Sequence, residues 1–288
     1  MIHSFRVGEL LCRVVSDGEL VYPTGALFVG APEEELEPLL RQHGSSIGQM
    51  SVPYDCLLVE TGRHHVLLDT GAGPLAPSTG KLMENLREAG VEPESIDVVG
   101  LSHGHADHIG GISDAEGKPT FPKARFVMWK GEWDFWTAES TLEKLARCEL
   151  YHLGELEQMI GAWARRYLPV IEDRVERIER VTEIVPGIEA IPAFGHTPGH
   201  GAFVVSSGGE ELLFAGDALV HPIHVAQPSW GTVFDLSRAE AAATRRSLLE
   251  RAAAKNSLVM GYHWPYPSVG RVMPQGAGWR WFTGEART

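Results

Sequence analysis

Within six residues, His103-Gly104-His105-Ala106-Asp107-His108 offers four side chains able to bind a metal ion. Neutral imidazole and carboxylate are the usual nitrogen and oxygen ligands of zinc, and they also suit iron or manganese. His103 and His105 are two apart, the spacing that sends both to one face of an extended chain. Gly104 and Ala106 are small enough for a tight turn, which brings His108 to the same space. Three further candidate ligands stand in comparable local settings. His196 lies in the stiff turn Gly195-His196-Thr197-Pro198-Gly199-His200. Asp217 follows the apolar Leu212-Leu213-Phe214 and the small pair Ala215-Gly216, and a carboxylate there can bridge two cations through its two oxygens. His263 again ends an apolar run. The seven residues suffice for two metal sites sharing Asp217. Two neighbouring cations lower the pKa of a shared water toward about 7. The expected chemistry is hydrolysis, in which a bridging hydroxide attacks a carbonyl or phosphoryl centre and Asp107 or Asp217 accepts a proton. No serine or cysteine nucleophile is required. Cys12, Cys56 and Cys148 lie outside these motifs and read as buried packing residues.

The elements that must position these groups follow from apolar periodicity. Leu10 to Ser16 reads as a strand closed by the turn pair Asp17-Gly18. Residues 32–43 read as a surface helix that Pro32 begins and Pro38 interrupts. A hairpin pairs Cys56–Thr61 with His65–Gly71, and a helix over 79–90 ends at Gly90. Ile96–Leu101 is a buried strand running into the histidine cluster. Residues 130–168 read as helical and Trp-rich, with Trp129, Trp133, Trp136 and Trp163. Strands resume from Val175 and over Gly187–Ala193. A second hairpin pairs Phe203–Ser206 with Glu211–Phe214, a long amphipathic helix spans Leu236–Asn256 with Ser237 as its cap, and Ser257–Met260 is a final strand. In each half a hairpin ends in an aspartate, Asp69 or Asp217, and a later strand ends in a histidine, His103 or His263. The expected organisation is one domain over residues 1–288, made of two related halves with a helical insert at about 130–168.

Bulk properties narrow the function. The 288 residues, 43% hydrophobic and 22% charged, provide a sizeable core. The formal net charge of −13 disfavours nucleic acid as a partner. No apolar stretch approaches the roughly 20 residues of a membrane span. Met1–Arg6 lacks a signal-peptide layout, so a cytoplasmic location is expected. Three scattered cysteines without a CxxC pair exclude a disulfide framework.

In these motifs and their order the sequence resembles the metallo-β-lactamase superfamily: His103-Gly-His105-Ala-Asp107-His108, His196, Asp217 and His263, with Asp69-Thr70-Gly71 and Gly195–His200 as accessory motifs. The resemblance spans roughly Leu10 to Pro267. It implies an α+β fold, a four-layer αββα sandwich. It also implies two divalent ions, zinc before iron or manganese: one on His103, His105 and His196, the other on Asp107, His108 and His263, with Asp217 bridging. Asp69 and His200 would support the ligand histidines by accepting or fixing their remote nitrogens.

Fold alone does not settle the substrate. Asp217 at the bridging position, rather than cysteine, argues against classical zinc β-lactamases. The late segment Gly261–Pro267 is aromatic rather than basic, unlike glyoxalase II-type thioesterases. The layout resembles most the branch with methyl parathion hydrolase and N-acyl homoserine lactonases, implying a lactone, ester or organophosphate as the small-molecule substrate. A thioesterase of the glyoxalase II kind and an iron-dependent redox enzyme are the alternatives. Lactonases of that branch often place a tyrosine soon after the bridging aspartate. Here Ala218-Leu219-Val220-His221 follows, so His221 or His224 is the expected polar substrate contact. Phe28, on an early arm with Leu27 and Val29, together with Trp230 and Trp264, is the expected apolar lining. His3, His43, His64, His65 and His152 read as surface residues. Relatives are often dimers, so a homodimer is a further expectation.

Overall fold

Apolar runs of two periodicities build two sheets, each with one face turned to the other. The computed structural model describes residues 2–147, 155–276 and 278–283. The first sheet runs in chain order: β1 (Ile2–Val7), β2 (Leu10–Pro23), β3 (Gln49–Glu60), β4 (His65–Leu68), β5 (Val98–Gly100), β6 (Arg125–Trp129) and β7 (Val175–Ile178). Helices α1 (Thr24–Leu27) and α2 (Glu33–Gln42) lie between β2 and β3. Between β4 and β7 come α3 (Leu82–Glu88), α4 (Ala106–Ile109), α5 (Lys130–Thr137), α6 (Thr141–Leu145) and α7 (Glu155–Tyr167). The second sheet also runs in chain order: β8 (Thr182–Val185), β9 (Ile188–Pro192), β10 (Gly201–Ser207), β11 (Glu210–Phe214), β12 (Leu258–Met260), β13 (Val269–Gln275) and β14 (Gly278–Phe282). Helices α8 (Ile223–Ala226) and α9 (Arg238–Lys255) connect β11 to β12.

In the first sheet the hairpin β3–β4 is antiparallel and β5 joins β4 in parallel. In the second, the hairpin β10–β11 is antiparallel and β12 joins β11 in parallel. Both arrangements bring a hairpin end and the end of a parallel strand to the same rim. The core between the sheets joins Leu57, Leu68, Val99 and Phe126 to Phe203, Leu212, Phe214 and Met260. Gly100 permits this contact, because a Cβ there would stand 2.7 Å from the Phe203 ring. On the outer face of the second sheet, Leu248, Leu249 and Ala252 of α9 pack on Val204, Leu213 and Val259. Each leucine or isoleucine so buried contributes about 1.5–3 kcal/mol. With helices outside both sheets, the fold is the αββα sandwich.

Several local expectations need correction. Asp17-Gly18 does not end a strand: β2 continues to Pro23, with a register shift between Ser16 and Gly18. The Asp17 carboxylate is buried and accepts the backbone N–H groups of Ala72, Gly80 and Leu82, which tie down the loop after β4. Pro38 lies inside α2 without breaking it, while Leu36 and Leu40 anchor the helix by burial. Ser237 occupies the cap position of α9 but makes no side-chain capping bond. Strands β1, β6, β8, β13 and β14 carried no sequence prediction, and Trp129 belongs to β6 rather than to a helix. Cys12 and Cys56 are buried and free; Cys148 and His152 lie outside the described residues.

Candidate metal centre

The rim where β5, β11 and β12 end gathers the polar residues. Leaving β5 after Gly100, the chain runs through Leu101 and Ser102 to His103 and His105, then winds into α4, which carries Asp107 and His108. His196 comes from the turn after β9, Asp217 from the turn after β11, and His263 from the turn after β12. Two groups result: His103, His105, His196 and Asp217, and Asp107, His108 and His263, each with its ligand atoms within 4.8 Å of one another. All seven residues are thus in one place, and six are buried.

Asp217 divides its two oxygens between the groups. Its Oδ1 lies 3.2 Å from Nε2 of both His108 and His263. Its Oδ2 lies 3.4 Å from His196 Nε2 and 3.9 Å from His103 Nε2. Asp107 Oδ2 stands 3.4 Å from His263 Nε2. His103 Nε2, His108 Nε2 and Asp217 Oδ1 are buried without a hydrogen-bond partner. A native fold does not leave such lone pairs turned toward one another unless something binds between them. Imidazole nitrogens and carboxylate oxygens are the donor set zinc takes, so the residues present fit two divalent ions.

The electrostatics agree. Burial, and next the adjacent imidazoles, push His103 and His105 well below their ordinary values, so both stay neutral and ready to donate a lone pair. Burial alone would lower His108, but Asp217, Asp69 and Asp107 raise it well above the ordinary range. Burial would raise Asp217, yet His263 and His108 hold it well below.

The remote nitrogens of His103, His108, His196 and His263 are anchored, which selects their tautomers. Asp69 accepts His108 Nδ1–H at 2.8 Å, Ser102 N–H at 2.7 Å and the Ser102 hydroxyl at 2.7 Å. Ser102 Oγ in turn lies 3.0 Å from His103 Nδ1 and can accept its N–H. Asp69 sits at φ 61°, a left-handed conformation sparsely used by residues with a Cβ, and its four polar ties hold it there. His263 Nδ1–H donates to the Pro53 carbonyl at 2.9 Å. His200 Nε2 accepts the backbone N–H of Asp217 at 3.0 Å, so it fixes the Asp217 turn rather than one of the clustered histidines. Burial, then the His196 imidazole, push His200 down to about 3, keeping it neutral.

Three supporting groups carried no sequence signal strong enough to find them. Asp235 accepts His196 Nδ1–H at 2.9 Å and the fully buried Arg245 guanidinium at 2.7 Å. Arg245 also donates to the carbonyls of Ala218 and Trp230, each at 2.9 Å. Glu132, fully buried, accepts Gly104 N–H at 2.9 Å, Trp136 Nε1–H at 2.5 Å, the Thr197 hydroxyl at 2.7 Å and Gly199 N–H at 2.9 Å. It therefore clamps the loop of His103–His105 to the loop of His196–His200. Tyr22, on the part of β2 beyond the register shift, is the third: its hydroxyl lies 2.8 Å from that of Tyr54, whose ring is edge-on to His263. The one available hint was an acid at Glu132, four residues from Trp136 in an otherwise aromatic stretch.

A cavity of about 530 Å³ opens over the cluster, with His105, Asp107, Asp217 and His263 at its base. Its walls are Leu20, Val21, Tyr22, Pro23, Ala26, Leu27, Val52, Leu75, Ile160, Trp163, Val220, Val233 and Phe234, with Ala106 beside the ligands. The expected substrate contacts do not line it. Trp264 is fully buried against Trp281, its indole N–H donating to Leu219 O at 2.7 Å. His221 and His224 are buried around Phe28, where their rings pack at 5.4 and 5.3 Å. Trp230 is buried and offers its carbonyl to Arg245. Beside Phe28 and His221 the preceding residues, Leu27 and Val220, face the cavity instead. His43 is half-buried, its ring 5.2 Å from that of His221.

Among the described residues, no helix is long and apolar enough to cross a membrane. The model of the metallo-beta-lactamase superfamily matches residues 52–263. An N-acyl homoserine lactonase of a Bacillus species is 24% identical over 178 residues, covering 55% of this chain and 60% of the lactonase. The match thus spans less than two thirds of that relative. The chain is also similar in structure to AidC, a dizinc quorum-quenching lactonase solved with its product N-hexanoyl-L-homoserine. The TM-score is 0.91 at 28% identity, covering 100% of this chain and 98% of AidC. The hydrolase AbOPH shares the fold, with a TM-score of 0.89 at 22% identity over 100% and 98% of the two chains.

Proposed function

Because the chain belongs to the metallo-beta-lactamase superfamily, we propose that it is a dinuclear metal-dependent hydrolase that opens lactones bearing an apolar acyl chain. The observation that carries this reading is Asp217, whose two oxygens are shared between two three-residue ligand groups at the base of a largely apolar cavity. His103, His105 and His196 would hold one cation, and Asp107, His108 and His263 the other, with Asp217 between them. Two zinc ions so held would supply Lewis acidity and a hydroxide nucleophile near neutral pH.

The protein's own groups do the rest. Neutral His103 and His105 offer lone pairs without first losing a proton. Asp107, the most exposed of the seven, is placed at the cavity base to pass a proton to the leaving oxygen. The apolar walls exclude water and favour a hydrocarbon substituent: at about 25 cal/mol per Å², each methylene so buried contributes about 0.8 kcal/mol. Likeness to AidC over essentially both whole chains supports a lactone as the electrophile. Among the described residues the wall contains no lysine or arginine, which disfavours an anionic glutathione thioester.

The test is a hydrolysis panel on zinc-loaded protein, with lactones of increasing chain length, aryl esters, phosphotriesters, thioesters and a β-lactam. Lactones are expected to lead, with kcat/KM rising with chain length. Active protein free of metal, or activity confined to another class, would overturn the reading.

A further inference from the structure

We propose that Tyr22 is the hydrogen-bond donor that the cavity presents to a carbonyl oxygen of the substrate, with its proton directed inward by Tyr54. The proposal rests on the hydrolase reading above and adds a residue that the metal-binding motifs do not contain.

Apart from the four metal-binding residues at its base, the cavity offers two polar side-chain groups among the described residues, the Tyr22 phenol and the Trp163 indole. An apolar pocket orients its ligand through few polar groups, so each one matters. Tyr22 stands edge-on to Phe234 at 6.0 Å, and Phe234 is edge-on to His105 at 6.3 Å. On its other side, Tyr22 Oη lies 2.8 Å from Tyr54 Oη. Tyr54 is fully buried, stacked on Tyr262 at 6.1 Å and edge-on to His263 at 5.2 Å. The hydroxyl pair therefore connects the two flanks of the metal-binding cluster.

Burial sets the direction of the pair. A buried hydroxyl must donate its proton to some acceptor. Among the described residues, Tyr22 Oη is the hydrogen-bond partner recorded for the Tyr54 hydroxyl. Tyr54 thus donates and Tyr22 accepts, which leaves the O–H of Tyr22 free to point into the cavity. Burial, then the Asp107 carboxylate, raise Tyr22 above the ordinary phenol range, so it keeps its proton and acts as a donor, not as a base. Accepting from Tyr54 polarises that O–H and strengthens the bond it can give.

The experiment uses zinc-loaded wild type, Tyr22→Phe, Tyr54→Phe and the double variant. It reads kcat and KM on an N-acyl homoserine lactone and on a lactone of equal length without the amide, and by calorimetry the Kd of the ring-opened N-acyl homoserine. Tyr22→Phe is expected to weaken product binding and kcat/KM by about tenfold, the upper range for one neutral hydrogen bond. Tyr54→Phe is expected to weaken both by less, and to add nothing in the Tyr22→Phe background. A loss confined to the amide-bearing compound places the bond on the amide carbonyl; a loss on both places it on the ring carbonyl. Tyr22→Phe within twofold of wild type in both readouts overturns the proposal. So does a Tyr54→Phe effect of full size in the Tyr22→Phe background. Should Tyr22→Phe release zinc, product binding to Tyr54→Phe decides: weakened upholds the proposal, unchanged overturns it. A wild type that opens no lactone, yet binds the ring-opened compound in a Tyr22-dependent way, sinks the lactone reading alone. A wild type that does neither sinks both.

Discussion

Asp235→Asn is expected to loosen one metal while a second substitution repairs the fold around it. Asp235 holds His196 at 2.9 Å and Arg245 at 2.7 Å, and both members of the ion pair are fully buried. Burial alone would raise the Asp235 carboxyl, but Arg245 and next the His196 N–H hold it well below the usual range. Removing its charge has two separable effects. His196 loses a charged acceptor, and loss of such an outer partner weakens metal binding about 10- to 100-fold, or about 1.4–2.7 kcal/mol. Arg245 is left as an unpaired buried cation, which costs about 3–5 kcal/mol of stability. In Asp235→Asn/Arg245→Met both charges are gone, so the cost of an unpaired buried cation disappears and most of the stability returns. The zinc defect stays, since His196 still lacks its carboxylate. Competition with a chromophoric chelator measures the two zinc constants, and urea unfolding followed by Trp fluorescence measures stability. Wild-type affinity for both zinc ions in Asp235→Asn would refute the role given to this contact. Recovery of zinc affinity in the double variant would show that fold, not the His196 contact, had been responsible.

Three other outcomes are expected. His263→Ala should retain the fold and bind one zinc per chain instead of two, with kcat reduced by about 100-fold or more, given the several kcal/mol a Lewis acid contributes; elemental analysis beside kinetics checks this, and two zinc ions with unchanged turnover would contradict it. Glu132→Gln replaces one of the two accepting oxygens by an amide N–H₂, which then faces two of the four donors. At about 1–3 kcal/mol for each group left unsatisfied, it should destabilise the chain by about 2–5 kcal/mol and weaken zinc at the three-histidine group, whereas an unchanged melting temperature would disprove the clamp. Burial pushes the Asp17 carboxyl up to about 6 despite its backbone donors. A folded value above the unfolded one, about 3.9, gives stability that is complete below about pH 4 and lost as pH rises through 6. Relative to Asp17→Asn, wild type should therefore gain about 1.3 kcal/mol between pH 7 and pH 5 in paired denaturation curves, and parallel pH profiles would exclude the shift.

How much of this was legible in the residues themselves follows a physical division. His103, His105, Asp107 and His108 are legible because ligand chemistry lives in residue type and spacing, and six consecutive residues fix their own local geometry. His196, Asp217 and His263 are legible for a related reason: each ends an apolar run, and strand ends deliver polar groups to a sheet rim. Asp69 belongs with them, as the acid closing a hairpin. Glu132, Asp235 and Tyr22 are of another kind. Their partners lie up to 67 residues away, as between Glu132 and Gly199, and nothing in a local pattern states which distant backbone will arrive beside a carboxylate. The same holds for Trp264, His221 and His224, whose types invited a place in the cavity. Whether an aromatic side chain meets substrate or core depends on a rotation of one residue about the chain, and packing of Trp281 and Phe28 against them makes that choice. The sequence by itself determined which side chains could bind metal and that strand ends would bring them to one rim. Only the tertiary structure decided what supports those side chains and what faces the substrate, because burial and convergence are properties of the packed sheets and not of any one segment.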